Sequence, residues 1–400
     1  MQNRIPVVEA LTRWAKEGCA RLHMPGHKGG TGMPPGFDAL GWDATELPAT
    51  DDLFAPTGPI KEAMALAAQG FGATDTRFLT AGSTSGVLAM LLALPPESTV
   101  VVPRDAHRAV AAGIELGRHR PVFVYPQRIL DGTPGCVSAG SISRALSTYP
   151  KPDAVLVTYP TYYGFCADLA AIREAADKAG ALLLVDGAHG AHLACGAEGL
   201  PPYAGRFADV WVDGAHKTLS AMGQGAFLHW SASAGEKGLG LQSLLRALAL
   251  VHTSSPSYPV MASLDAARNR LFTRSYEWEN LAVACAKLTL WLDEKKGLSC
   301  PGLRAAGQAG VAAVDPTRLV VDVRGRGLTG YGAEPILKAS GVAVEMGDDA
   351  RVIALTAPWD IPALTAFQQA VLELPEGHPL SMDSNEVPMP LPERIEAAAG

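Results

Sequence analysis

Short, fully apolar runs alternate along this chain with segments whose apolar positions recur every three or four residues. Residues 99–102 (TVVV), 154–157 (AVLV), 181–185 (ALLLV) and 210–212 (VWV) fit strands buried on both faces. Between the second and third runs, Leu169, Ile172 and Ala176 fall at helical spacing over 168–179, and Gly180 stops the helix. This β-α-β order predicts parallel strands joined by right-handed crossovers. Further helices are expected over 7–17, 61–71 and 87–94, with strands over 76–80 and 225–230. A long helix follows the hydroxyl cluster Thr253, Ser254 and Ser255, and its apolar pattern runs on to Trp291. After a Gly/Ala-rich stretch near 297–310, the runs 318–323, 343–346 and 351–356 predict strands. Together with helices over 334–339 and 362–374 they predict a small α/β domain. The expected organisation is an N-terminal arm (1–56), a large domain with a mostly parallel sheet (57–296) and a small C-terminal α/β domain (297–400).

Composition narrows the function. The chain has 400 residues, 48% of them hydrophobic and 18% charged, which suits a two-domain globular enzyme. A net charge of −7 offers no footprint for nucleic acid or for an anionic membrane. No stretch reaches the roughly 18 uninterrupted apolar residues of a membrane span, and the first residues, MQNRIPVVEALTRWAKEG, have no signal-like apolar core. Six scattered cysteines without a CxxC pair indicate neither a zinc site nor a disulfide framework. A cytoplasmic protein is expected.

Candidate chemistry collects where apolar runs end. The run at 210–212 is followed by a small-residue turn carrying His216 and Lys217. A lysine held against a buried strand loses its proton readily and can then form a Schiff base with a carbonyl, although a surface loop lysine has the same spelling. Asp186 ends another apolar run, and a half-buried carboxylate there needs strong hydrogen bonds or a cationic partner, of which a protonated pyridine nitrogen is one. His189 and His192 follow it closely and leave a metal site open as a rival. AGSTSG (81–86) puts small and hydroxyl residues at a helix start, as a phosphate cradle or as an ordinary cap. In RDAHRAV, Asp105 can cap a helix ending at Gly117, and His107 lies at the carboxyl end of a strand, as Tyr162 and Tyr163 do. The glycine- and proline-dense segment 21–37 carries His23, His27 and Lys28, and the acidic arm beyond it wraps a partner surface or lies in solvent.

In this order, LHMPGHKGG, TELPATDDL, AGSTSG, RDAHRAV, VDGAHGAHL, HKTL and SPSYPVMASLDAAR resemble the ornithine/lysine/arginine decarboxylases in their short bacterial form. These are enzymes of the aminotransferase-like fold that use pyridoxal 5′-phosphate. The resemblance spans most of the chain. It implies that Lys217 holds the cofactor covalently, Asp186 pairs with the pyridine nitrogen, and His107 stacks on the ring. Ser83, Thr84, Ser85 and His216 would hold the phosphate, with Ser254 or Ser255 reaching it from a second subunit of a homodimer. His189 would lie beside Asp186 at the polar edge of the ring. The implied reaction is decarboxylation of a basic L-amino acid, in amino-acid metabolism and polyamine biosynthesis. An aminotransferase, another lyase or a non-catalytic relative is the alternative.

Two departures accompany the resemblance. Family members usually carry a serine where Gly214 stands, with Ala215 after it, so one phosphate hydroxyl is expected to be missing. They also normally continue past a position like Gly400 into a tyrosine- and proline-rich segment that helps close the substrate site, which leaves substrate choice less constrained than cofactor binding.

Overall fold

The computed structural model describes residues 2–16, 41–148 and 152–380. The expectation for His23, His27 and Lys28 falls outside them. Among the described residues the strands are β1 (Asp75–Leu79), β2 (Thr99–Pro103), β3 (Arg120–Val124), β4 (Ala154–Thr158), β5 (Phe165–Ala167), β6 (Leu182–Gly187), β7 (Val210–Asp213), β8 (Ala226–Trp230), β9 (Val311–Val314), β10 (Arg318–Asp322), β11 (Met346–Gly347) and β12 (Arg351–Leu355). Seven form one sheet in the order β1-β8-β7-β6-β4-β2-β3. Every pairing from β7 to β3 is parallel, and β8 alone runs against its neighbours β7 and β1.

Alternation along these strands feeds two cores. Val100, Val102, Leu156, Leu184, Val210 and Val212 face helices Gly82–Leu92, Arg108–Leu116 and Leu241–Val251. Val101, Val155, Val157, Leu183, Val185 and Trp211 face the other way, into the larger core. Strands covered on both sides must be apolar at every position, which is why they read as unbroken runs.

A second sheet, β10-β12-β11, is antiparallel and lies beyond helix Ser275–Asp293. The predicted strand at 343–346 shrinks to Met346 and Gly347. The predicted long helix is two helices, Tyr258–Thr273 and Ser275–Asp293, meeting at Arg274. Part of the linker-like stretch is helical at Gly302–Ala305, and β9 just beyond it pairs with β5. Among the described residues no helix is long and apolar enough to cross a membrane.

Candidate active site

In a parallel sheet the strand carboxyl ends share one edge, and that edge carries the cavity here. Residues after β2 (Asp105, His107), β4 (Thr161, Tyr162, Tyr163), β6 (Ala188, His189) and β7 (His216, Lys217) line a space of about 640 Å³, as does Asp186 within β6. β1 runs in the same sense, so the turn after it brings Gly82, Ser83 and Thr84 to the same space. The antiparallel β8 contributes residues before its start, among them Gln224. Lys217, Asp186 and His107, separated by as many as 110 residues, therefore face one cavity.

Lys217 lies in the short helical turn Ala215–Thr218, and its Nζ is 3.1 Å from His189 Nε2. Burial lowers its pKa, Asp186 opposes that effect, and burial prevails. Asp186 is 3% exposed, and its Oδ1 accepts a hydrogen bond from Ala188 N at 3.1 Å. Burial raises its pKa against the pull of that bond and of Lys217 and His107. Across the ladder, Thr158 is the register partner of Asp186, and its buried hydroxyl has no partner among the described residues. A carboxylate held this dry with one neutral donor, beside an orphaned hydroxyl, is short of a polar partner in the cavity. Cys136 forms part of the wall as a thiol, its pKa pushed up to about 12 by burial.

Of the residues expected to form a phosphate cradle, Ser83 and Thr84 reach the cavity lining. Helix Gly82–Leu92 begins without a side-chain cap, so its first turn presents uncapped N–H groups beside Ser83 and Thr84 in the cavity lining. Ser85 departs from the expectation: its side chain is buried, and its Oγ donates to Gly82 O at 2.8 Å within the helix turn. His216 lines the cavity with Nδ1 2.9 Å from Gly225 O. A carbonyl only accepts, so Nδ1 carries a hydrogen and Nε2 is left for a ligand. His107, not Asp105, caps helix Arg108–Leu116; its Nδ1 accepts from Ala109 N, and Asp105 instead lines the cavity. Ser254 and Ser255 lie exposed after helix Leu241–Val251, outside the cavity lining of their own chain.

His189 and His192 do not converge. His192 Nε2 lies 3.0 Å from Asp315, and its ring stacks on Trp278 at 4.8 Å. His189 faces Lys217 on one side, and on the other its Nδ1 is 3.2 Å from Arg318 Nη2. Arg318 was not singled out as a site residue from the sequence. It opens β10, 129 residues beyond His189, and its Nε and Nη1 have no hydrogen-bond partner among the described residues. The tyrosines after β4 also reach the second sheet region: Tyr162 donates to Glu345 at 2.6 Å, and Tyr163 to Asp348 at 2.9 Å.

His189 carries a stability consequence, because burial depresses its pKa well below 6.5. Below that pH the unfolded chain takes up a proton that the folded chain refuses. Stability is thus complete above pH ~6.5 and falls by up to about 1.4 kcal/mol per pH unit as the medium acidifies. Urea midpoints measured from pH 7 to pH 5 should fall more steeply for the wild type than for His189→Gln. Equal slopes would contradict this account.

Residues 5–290 match the protein family described as Orn/Lys/Arg decarboxylase, major domain. The chain belongs to the ornithine/lysine/arginine decarboxylase family. It is 32% identical over 393 residues to the arginine decarboxylase of Bacillus subtilis (strain 168), covering 93% of this chain and 79% of that protein. Identity to the arginine decarboxylase of Halalkalibacterium halodurans is 30%, over 94% of this chain and 78% of the relative. Among solved structures, lysine decarboxylase A from Pseudomonas aeruginosa superposes with a TM-score of 0.76 at 20% identity, covering 92% of this chain and 59% of that one. This chain thus spans about three fifths of that lysine decarboxylase. Sphingomonas wittichii serine palmitoyltransferase gives a TM-score of 0.61 at 16% identity, covering 92% of this chain and 86% of that one. The fold of this decarboxylase-family chain is the aminotransferase-like one, and family and fold together imply pyridoxal 5′-phosphate.

The lining fits that group: a buried carboxylate for a pyridinium, an amine for a carbonyl, and an uncapped helix start with two hydroxyls for a phosphate. Gly214 fits for a steric reason. A Cβ there would meet the Ala188 carbonyl oxygen at 2.4 Å, so with this backbone a serine has no room. Gly214→Ser should therefore not restore a phosphate hydroxyl. It should push the Lys217 turn off the β6 loop, cost about 1–3 kcal/mol in a denaturant melt and weaken cofactor binding in an absorbance titration. Tighter binding by the variant would refute the steric explanation.

Proposed function

We propose that this chain, carrying pyridoxal 5′-phosphate on Lys217, decarboxylates a basic L-amino acid, with arginine the first choice, to the amine and carbon dioxide. The observation that carries the reading is the convergence of Lys217, Asp186 and His107 on one cavity in a chain of this family. When bound, the cofactor supplies an electron sink for the pair left on Cα. Asp186 would hold the pyridine proton, and His107 would cover one face of the ring. Ser83, Thr84, the open helix start and His216 would hold the phosphate. The Cα–carboxyl bond breaks and carbon dioxide leaves; Lys217 Nζ, freed by the substrate amine and carrying a proton taken from the arriving substrate ammonium, can deliver that proton to Cα. His189 keeps that amine in place from the second side. Asp105 in the lining, and Glu345 tied to the cavity through Tyr162, favour a cationic substrate side chain. The names of the Bacillus subtilis and Halalkalibacterium halodurans relatives favour arginine.

The division into an arm (1–56), a large domain (57–296) and a small domain (297–400) is part of this proposal, supported by the seven-stranded sheet before residue 297 and the three-stranded sheet after it, with the β5–β9 pair joining the two parts. So is a homodimer, in which the exposed Ser254 or Ser255 of one copy reaches the phosphate of the other. The deciding experiment supplies the full chain with pyridoxal phosphate and L-arginine, L-lysine or L-ornithine and measures released carbon dioxide. Release is expected from at least one. Release from none would overturn the reading.

A further inference from the structure

His189 lies between two nitrogen bases, and the chemistry of one fixes what it can offer the other. Arg318 Nη2 is 3.2 Å from His189 Nδ1, and Lys217 Nζ is 3.1 Å from Nε2. A guanidinium has N–H donors and no acceptor, and it stays charged across the working pH range. Nδ1 must therefore accept. A neutral imidazole carries one hydrogen, which then resides on Nε2 and points at Nζ. An imidazolium would set an Nδ1–H against the guanidinium N–H. An ammonium at Nζ has no lone pair to meet the Nε2–H, whereas a neutral amine does. The three side chains are mutually satisfied in one protonation pattern: Arg318 charged, His189 neutral with hydrogen on Nε2, and Lys217 uncharged.

We propose that Arg318 is a positioning residue, which fixes His189 as its Nε2–H tautomer and thereby holds the free Lys217 side chain as an amine ready to bond a carbonyl carbon. The inference rests on the reading of Lys217 as the cofactor lysine. In the covalent step the Nζ lone pair forms the carbon–nitrogen bond, and both amine hydrogens depart with the carbonyl oxygen as water, without redox change. An ammonium has no such pair and would first have to lose a proton inside a buried site.

The surrounding charges do not reverse the pattern. Asp186 and Glu345 favour the ammonium at Nζ, while burial and Arg318 oppose it, and burial dominates. Around His189, burial dominates in disfavouring a second proton; the Arg318 guanidinium adds to it, a proton on Lys217 would add further, and the imidazoles of His216 and His192 act in the same direction. Arg318 faces Asp315, Tyr162, Glu345 and Cys166. Burial lowers the pKa of Arg318, and Asp315 opposes that effect: engaged by His192 and Thr317 and held down to about 2, it stays an anion beside a guanidinium whose ordinary pKa lies far above the working range.

Two measurements test this on the full chain. Nitrogen-15 histidine spectra, with pyridoxal phosphate bound and after its removal, should place the His189 hydrogen on Nε2, the signal being assigned by its absence in His189→Gln. The rate at which stripped protein takes up pyridoxal phosphate, followed by its visible absorbance, should reach half-maximum at least one pH unit higher in Arg318→Met. That shift corresponds to uptake about tenfold slower at pH values below both midpoints. Arg318→Lys also has only donors and should restore the wild-type midpoint. A hydrogen on Nδ1 in the wild type, or superimposable uptake curves for wild type and Arg318→Met, would overturn the proposal. If Arg318→Met does not fold, the wild-type spectrum decides alone. Survival of the visible band in Lys217→Ala would instead remove the cofactor-lysine reading and leave the tautomer result standing.

Discussion

Lys217→Ala is expected to abolish the visible band of the bound cofactor and to lower decarboxylation by about 10⁴-fold, the upper end of what one positioned acid–base group supplies. Two losses combine. Alanine has no amine to bond the cofactor carbonyl and none to carry a proton to Cα. The fold should survive, because truncation leaves the remainder of the Ala215–Thr218 turn in place: Lys217 N still donates to Gly214 O and Leu219 N to Ala215 O. The variant can still bind the cofactor non-covalently through the open helix start, Ser83 and Thr84. Absorbance scans of variant and wild type at equal cofactor loading, beside carbon dioxide release, check both losses. Full activity without Lys217 would remove the amine from the mechanism.

Much of this site could be read in the sequence because its residues punctuate apolar runs. Val and Leu at every position mark strands covered on both faces, and in parallel strands the residue after the run lies at the ligand edge. Asp186, His107 and Lys217 could be placed that way. β3 escaped notice because Arg120 and Pro121 open it and Phe123 is exposed: it is an edge strand, where proline and polar residues are tolerated. At 343–346 a short, mostly apolar run predicted a strand, yet only Met346 and Gly347 pair with β12. So short a run does not secure a partner. Arg318 had a visible signal, an arginine heading an apolar strand, but its contact with His189 exists only once β10 is brought against the loop after β6. Gly214 looked like a lost hydroxyl, and only the Ala188 carbonyl reveals the steric demand.

Asp186→Asn is expected to keep the cofactor attached and to lose most of the turnover. Asparagine has nearly the same shape, and its Oδ1 can still accept from Ala188 N, so the end of β6 is not disturbed. It brings no charge. An anion beside a titrating nitrogen shifts its pKa by ~1–3 units, so its removal should cost roughly 10- to 1,000-fold in the rate of carbon dioxide release. Over the same pH range the absorbance should titrate at lower pH, because the pyridine proton is held less tightly. Stability should move the other way in the stripped protein. Burial raises the pKa of Asp186, so in the wild type its stabilising contribution is present at low pH and is lost as pH rises through the folded-state value. At neutral pH the stripped wild type holds an expensive buried carboxylate, and stripped Asp186→Asn should melt higher. Added pyridoxal phosphate should then raise the midpoint of the wild type more than that of the variant, since a ligand stabilises in proportion to how tightly the folded state holds it. Opposite signs for turnover and for stripped-state stability are the signature of a carboxylate kept for a cation that the protein itself does not provide. A variant that loses both would make Asp186 a structural residue of the strand.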